Sequence, residues 1–323
     1  MNLDTVVCAD ALDYLRTLPD ESVNCIITSP PYYGLRDYGA SGQIGLEDTP
    51  AAYVERLVAV FREIRRVLRP DGVCWLNLGD SYAGSGRGLM GDGTPSDRGD
   101  AKQGTNRGTT VGVFNKPDWG GLAPKNLIGI PWRVAFALQD DGWILRSDVI
   151  WHKPNTMPES VTDRPTKAHE YVFLLTKSER YFYDADAVRE PNTPDMARRA
   201  ALGHTRGKNG KTDASRNDAD TLRGEHAMEI TASGRNRRSV WTVPTEPKPF
   251  AHFATFPQKL IEPMVLAGCP AGGIVCDPFM GSGTTALVAR QLGRHFLGCD
   301  VNAEYVALAN ERLAVPYTLP MFV

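Results

Sequence analysis

Residues 272–314 read GGIVCDPFMGSGTTALVARQLGRHFLGCDVNAEYVALANERLA, and no other stretch restricts the fold as much. An apolar run, IVC, passes through a glycine loop into the helix-like TTALVARQLG, returns as HFLGCD and continues into the helix-like AEYVALANERL. A strand that returns through a helix comes back beside itself in the same direction, so the pattern predicts a parallel β-loop-α-β-α unit. Such units bind nucleotides and cofactors in doubly wound α/β sheets. Just upstream, HFATFPQKLIEPMVLAGC, residues 252–269, is predicted as a helix.

The first eighty residues repeat the alternation. VVC (6–8), SVNCIITS (22–29) and VCWLNLG (73–79) are apolar runs. Between the last two, Tyr53, Leu57, Val60, Phe61, Ile64 and Leu68 recur at helical spacing, and the helix is expected to stop at Arg69-Pro70-Asp71-Gly72. Farther on, PWRVAFALQDDGW (131–143) reads as a helix, and ILRSDVIWHKPN (144–155) and HEYVFLLTK (169–177) as strands. Strands separated by helices imply an α/β fold with a doubly wound, mostly parallel sheet.

Two stretches interrupt this order. Residues 84–121 hold eleven glycines in thirty-eight positions and little apolar periodicity, so the insertion, 84–124, is expected to be a flexible loop. It is either a bland insertion or one that orders on a nucleic acid backbone. Residues 186–248 also lose apolar content, and from 187 to 240 eleven Lys or Arg face seven Asp or Glu, including Arg235, Arg237 and Arg238. That excess opposes the chain's net charge of −2 and suits either a lobe facing a polyanion or a solvated surface. The six cysteines, at 8, 25, 74, 269, 276 and 299, show neither a C-x-x-C pair nor metal-ligand spacing. They read as reduced, buried thiols of an intracellular protein, no metal site is expected, and no stretch of eighteen apolar residues or basic leader points to a membrane or to secretion.

In DPFMGSGTT, 277–285, Gly281 and Gly283 let the backbone approach a ligand, and the helix start offers N–H groups. The lysine of a phosphate-binding loop and the third glycine of the dinucleotide fingerprint are absent, and Asp277 would repel a phosphate. A phosphate-free cofactor with a cationic centre suits these residues. Asp300, seventeen residues after Gly283 at the end of the next strand, is placed to accept ribose hydroxyls. The second motif is SPPYYGLRDYG, 29–39, where a strand runs into two prolines that have no N–H for the ladder.

Together, SPPY after a strand, DPFMGSGTT after another and an acidic residue at the following strand end resemble the amino-methylating DNA methyltransferases that use S-adenosylmethionine. With the catalytic motif before the glycine motif and the basic segment between them, the order resembles the permuted β class. The resemblance covers both ends of the chain and the stretch around DVIWHKPN. It implies a Rossmann-like methyltransferase fold in which 1–185 and 249–323 form one catalytic domain, catalytic half first, with 186–248 as a target-recognition segment.

The resemblance further implies that Ser29 Oγ and the Pro30 carbonyl accept the N–H bonds of an exocyclic amine. Pro31 keeps that shelf rigid, and Tyr32, with Tyr33 second, stacks on a flipped base. Gly281, Ser282 and Gly283 line the methionine part of the cofactor, Phe279 and Asp277 flank it, and Asp300 takes the ribose. Asp10 and Ala11 lie near the adenine; TFPQKL, 255–260, resembles a further cofactor motif that includes Phe256 and Lys259. Two plainer roles stay open: Asp10 as a helix N-terminal acid and Phe256 as core packing. Arg36 is a candidate for a phosphate, along with the arginines at 235, 237 and 238.

The implied activity is methylation of cytosine N4 in duplex DNA, because within the family Ser at the head of the motif leans toward cytosine and Asp toward adenine. N6-adenine methylation is the alternative, followed by an RNA, protein or small-molecule methyltransferase and by a non-catalytic DNA-binding module. A cytoplasmic, prokaryotic or phage-encoded enzyme, monomeric or homodimeric and with or without a cognate restriction endonuclease, fits the resemblance.

Overall fold

A computed structural model describes residues 1–34, 42–83, 119–194, 198, 234–246 and 256–315. The chain divides into two compact units, Met1–Tyr183 with Ser239–Val323, and Asp184–Arg238. In the first unit the elements run β1 (Thr5–Cys8), α1 (Ala11–Thr17), β2 (Val23–Thr28), α2 (Pro50–Val67), β3 (Leu68–Leu78), α3 (Ile130–Asp140), β4 (Ile144–His152) and β5 (His169–Thr176). They continue as β6 (Val240–Thr242), α4 (Gln258–Gly268), β7 (Ile274–Asp277), α5 (Thr284–Gln291), β8 (His295–Asp300) and α6 (Ala303–Ala314).

The strands form one sheet in the order β1-β8-β7-β2-β3-β5-β4-β6. Only β5 runs against its neighbours; the other pairings are parallel. The chain thus has the doubly wound, mostly parallel sheet read from its sequence. Apolar runs become buried strands because helices cover both faces: Val23, Cys25 and Ile26 in β2 and Val73, Cys74 and Leu76 in β3 are completely buried. Tyr53, Leu57, Phe61 and Ile64 of α2, spaced for one helical face, fill the same core. That helix begins where Thr49 Oγ1 accepts the Ala52 N–H at 3.1 Å and Pro50 takes the first turn.

Local boundaries differ from the sequence reading in instructive ways. The helix ends at Val67, just ahead of Arg69-Pro70-Asp71-Gly72 as expected, but the strand begins before those four residues rather than after them. Leu68 already pairs with Val23, and the next pairs are Cys25 with Val73, so the four residues bulge out of a ladder that resumes beyond them. The helix expected over 252–269 starts only at Gln258, with Pro257 as its extended N-cap, while 247–255 lie outside the described residues. Cys8 is exposed, unlike the five other free cysteines.

Residues 84–118 of the glycine-rich insertion also lie outside the described residues. Its stems are pinned where Ala83 N–H donates to the Asn126 carbonyl and Lys125 N–H to the Ala83 carbonyl, each at 2.8 Å. The short strand β6, inside the segment 186–248, pairs with β4 at the sheet edge. In the second unit, Glu190 and Arg235 exchange both backbone hydrogen bonds at 2.9 Å. No helix among the described residues is long and apolar enough to cross a membrane.

Candidate active site

Because β1, β8, β7, β2 and β3 are mutually parallel, their carboxyl ends share one edge of the sheet, and the start of antiparallel β5 arrives at that edge too. From β2 the sheet order leads to β3 on one side; from β7 it leads to β8 on the other. The connections after β2 and β7 therefore leave in opposite directions and open a crevice between them. Both motifs sit at this switch point.

A side-chain bond joins them. Asp277, at the end of β7, is 1% exposed. Its Oδ1 accepts the Thr28 hydroxyl at 2.7 Å and the Phe279 N–H at 3.0 Å, and its Oδ2 accepts the Thr285 hydroxyl at 2.8 Å. Burial nevertheless pushes the carboxyl up to about 6 against the pull of those bonds. The acid expected to flank a cofactor thus already accepts from three protein donors, and it ties the end of β2 to the glycine loop and to α5.

The loop is shaped by glycines for separate reasons. Gly281 and Gly283 have φ of 55° and 80°. A Cβ on Gly283 would also lie 2.8 Å from Ala309 Cβ of α6, so the helix packs directly on the loop. A Cβ on Gly298 of β8 would strike the end of Met280 and come within 2.8 Å of the Asp277 carbonyl. Asp300 accepts the Gly281 N–H on Oδ2 at 2.8 Å and the Asn302 N–H on Oδ1 at 2.9 Å, and burial raises its carboxyl above the usual range. Ser282 is buried, and its Oγ accepts from Arg312 Nη1 at 3.0 Å, so this hydroxyl faces α6.

Asp10 caps α1, its Oδ1 accepting from Leu12 and Asp13 N–H at 2.8 and 3.3 Å, with buried Ala11 behind it. The plainer reading of Asp10 therefore holds at least in part. The Ala9 N–H donates to the Asp300 carbonyl at 3.0 Å, which brings the cap beside the end of β8. Phe279 is half-buried against the core. Phe256 and Lys259 lie at the start of α4, the first half-buried and the second exposed, and among the described residues no hydrogen bond joins them to the glycine loop.

After β2, Ser29 is half-buried and Pro30 buried. The Pro31 carbonyl accepts the Tyr53 hydroxyl at 2.8 Å, whereas the Pro30 carbonyl takes no hydrogen bond among the described residues. Tyr32 is held at its far end: its hydroxyl lies 2.7 Å from Glu170 Oε2 of β5 and 3.0 Å from Asn77 Oδ1 of β3. Burial, and then the Glu170 charge, raise this phenol well above its ordinary value. Its ring edge lies over Gly79, where a Cβ would collide with it. Tyr33, the second stacking candidate, is 2% exposed and packs on Tyr53 and Trp119, which makes it a core residue.

Sequence reasoning missed Asn77, Glu170 and Lys153, whose Nζ bonds Glu170 Oε1 and sits 4.1 Å from the Trp151 ring centre. The available signal was a lone amide in the apolar WLNL and the carboxylate opening HEYVFLL. Arg36 lies outside the described residues, which omit 35–41. In the second unit, Arg235 and Arg238 both bond Glu190, at 3.1 and 3.0 Å. Burial works against the Glu190 charge, but the Arg238 and Arg235 bonds outweigh it and hold the carboxyl below its usual range. Arg237 is half-buried.

Comparison with known proteins agrees with this arrangement. A family model described as DNA methylase, N6/N4 type, matches residues 23–311. The Type II methyltransferase M.Cfr9I of Citrobacter freundii is 46% identical, over 97% of this chain and 88% of the relative. M.SmaI of Serratia marcescens is 44% identical, over 95% and 90% respectively. The solved PvuII DNA methyltransferase (cytosine-N4-specific) superposes with a TM-score of 0.60 at 18% identity, covering 96% of this chain and 88% of that one, and so shares the fold. The chain belongs to the N6/N4 family of DNA methylases and is, by that membership, a DNA methyltransferase.

Proposed function

We propose that the protein transfers a methyl group from S-adenosylmethionine to the N4 amine of a cytosine flipped out of duplex DNA. The observation that carries the reading is the Thr28–Asp277 hydrogen bond, which locks the Ser29-Pro30 acceptors and the glycine loop to adjacent strand ends. Asp300 suits the cofactor: a carboxylate has about four acceptor positions, and the two backbone N–H bonds it receives leave others for a ribose. Gly281, Gly283 and Phe279 would line the tail, and Asp10 with Ala11 the adenine side. The bound cofactor supplies a sulfonium-activated methyl group.

The remaining catalysis is positioning. An exocyclic amine is a poor nucleophile because its lone pair is delocalised into the ring. Two acceptors, Ser29 Oγ and the Pro30 carbonyl, draw its N–H bonds aside and turn the lone pair toward the methyl group. Tyr32, its ring fixed at the hydroxyl end, offers a face to the extruded base. Within the family, Ser rather than Asp at the head of this motif leans toward cytosine, and Ser29 supports that base on this resemblance. Its relatives are Type II methyltransferases, which supports DNA rather than RNA or protein as the substrate. Incubating purified protein with unmethylated duplex DNA and labelled S-adenosylmethionine tests this: label in N4-methylcytosine is expected. Label in N6-methyladenine would shift the reading to the alternative base, and label in RNA alone would refute it.

A further inference from the structure

Ser29 can serve as an acceptor only if its own proton points elsewhere, and the side chains around it share few places for that proton. Ser29 Oγ lies 3.4 Å from Asn77 Oδ1 and 3.5 Å from the Tyr32 hydroxyl. The Asn77 amide has a fixed sense, because its Nδ2 donates to the Tyr171 carbonyl at 3.0 Å and so turns Oδ1 toward the shelf. Glu170, bonded to Lys153, is an acceptor when ionised and stands 2.7 Å from the phenol. The phenol has one proton, and the charged, shorter contact takes it. Asn77 Oδ1, together with the phenolic oxygen, is then left to receive the proton of Ser29.

We infer that Asn77 and Glu170, the latter held by Lys153, are positioning residues that fix Ser29 Oγ as a hydrogen-bond acceptor toward the target amine. The inference rests on the reading above that Ser29 receives that amine. Glu170 acts through Tyr32: by claiming the phenolic proton it keeps Asn77 Oδ1 open. Without it, Tyr32 would donate to Asn77 Oδ1 and compete with the Ser29 hydroxyl for that oxygen, loosening the hold on the Ser29 proton, which as a donor would oppose the amine.

Glu170→Gln tests this without changing shape. Lys153, which only donates, selects the new carbonyl oxygen, so the amide NH2 faces Tyr32 and drives the phenolic proton onto Asn77. The expected result is a fall of about 100-fold in kcat, the scale of losing one oriented hydrogen bond at a reacting centre. KM for DNA and cofactor and 2-aminopurine fluorescence at the target base should stay unchanged, while the melting temperature falls as the Lys153 ion pair is lost. Tyr32→Phe, which deletes the phenol yet leaves Asn77 open to Ser29, should be milder, below about tenfold, the cost of one ordinary hydrogen bond.

In the double variant, Glu170→Gln should add no loss to that of Tyr32→Phe, since the link between Glu170 and Ser29 is already cut. Asn77→Leu, an independent arm, should lose kcat as Glu170→Gln does. Full kcat in Glu170→Gln, additive losses in the double variant, or a loss confined to KM or melting temperature would overturn the inference. A wild-type protein that leaves duplex DNA unmethylated would instead overturn the proposed function.

Discussion

Asp277 does more at the scale of single residues than its motif suggests, because one buried carboxyl gathers a strand end, a loop and a helix start. Its position in the motif was legible; its bond to β2 was not, since Thr28 lies 249 residues away in sequence. Its pH behaviour follows from the direction of the shift. The folded value, about 6, lies above the ordinary 3.8, so the stabilising contribution is full below pH 3.8 and is lost as pH rises through 6. At pH 7 the native state holds an ionised buried group at a cost of about 3 kcal/mol. The stability of Asp277→Asn relative to wild type should therefore improve by about that amount between pH 4 and 7 in urea titrations. A difference that is flat with pH would refute this. For Ser29→Ala, kcat should fall by roughly 100- to 1,000-fold, while calorimetric affinity for S-adenosylmethionine is unchanged.

Among the elements, the strands and helices were legible wherever apolar spacing was strong, as in β2, α2, β8 and α6. The Arg-Pro-Asp-Gly segment marked the end of α2 but hid the start of β3, because turn residues also fit a bulge, and whether a ladder resumes depends on a partner strand that a local pattern cannot show. The start of α4 was placed too early because Phe256 and Pro257 extend an apolar stretch into the cap. The glycine loop was legible in kind, but not the contact behind it. Gly272 and Gly283 have similar φ, 71° and 80°, yet only Gly283 has α6 against it. Gly272→Ala should cost about 1 kcal/mol, for conformation alone. Gly283→Ala should exceed about 2 kcal/mol and weaken cofactor binding, because Ala309 and the loop must part. Equal melting temperatures for the two variants would contradict the packing account.

For the whole molecule, the motif order implied a permuted chain, and the sheet order accommodates it: β7 and β2, from opposite ends of the sequence, are neighbours at the switch point. Nothing local in VWT announced β6 as an edge strand, since three residues are too short for a periodic signal. If the crevice binds S-adenosylmethionine, saturating cofactor should raise the melting temperature, by the equivalent of about 2.7 kcal/mol at one hundred times Kd. Asp300→Ala should lose most of that gain. The central claim, that this crevice methylates a cytosine amine held by Ser29 and Pro30, is tested most directly by mass spectrometry of nucleosides from duplex DNA treated with the purified protein and S-adenosylmethionine. N4-methylcytosine, formed roughly 100- to 1,000-fold more slowly by Ser29→Ala, is the predicted result; N6-methyladenine, or no methylated base at all, would contradict it.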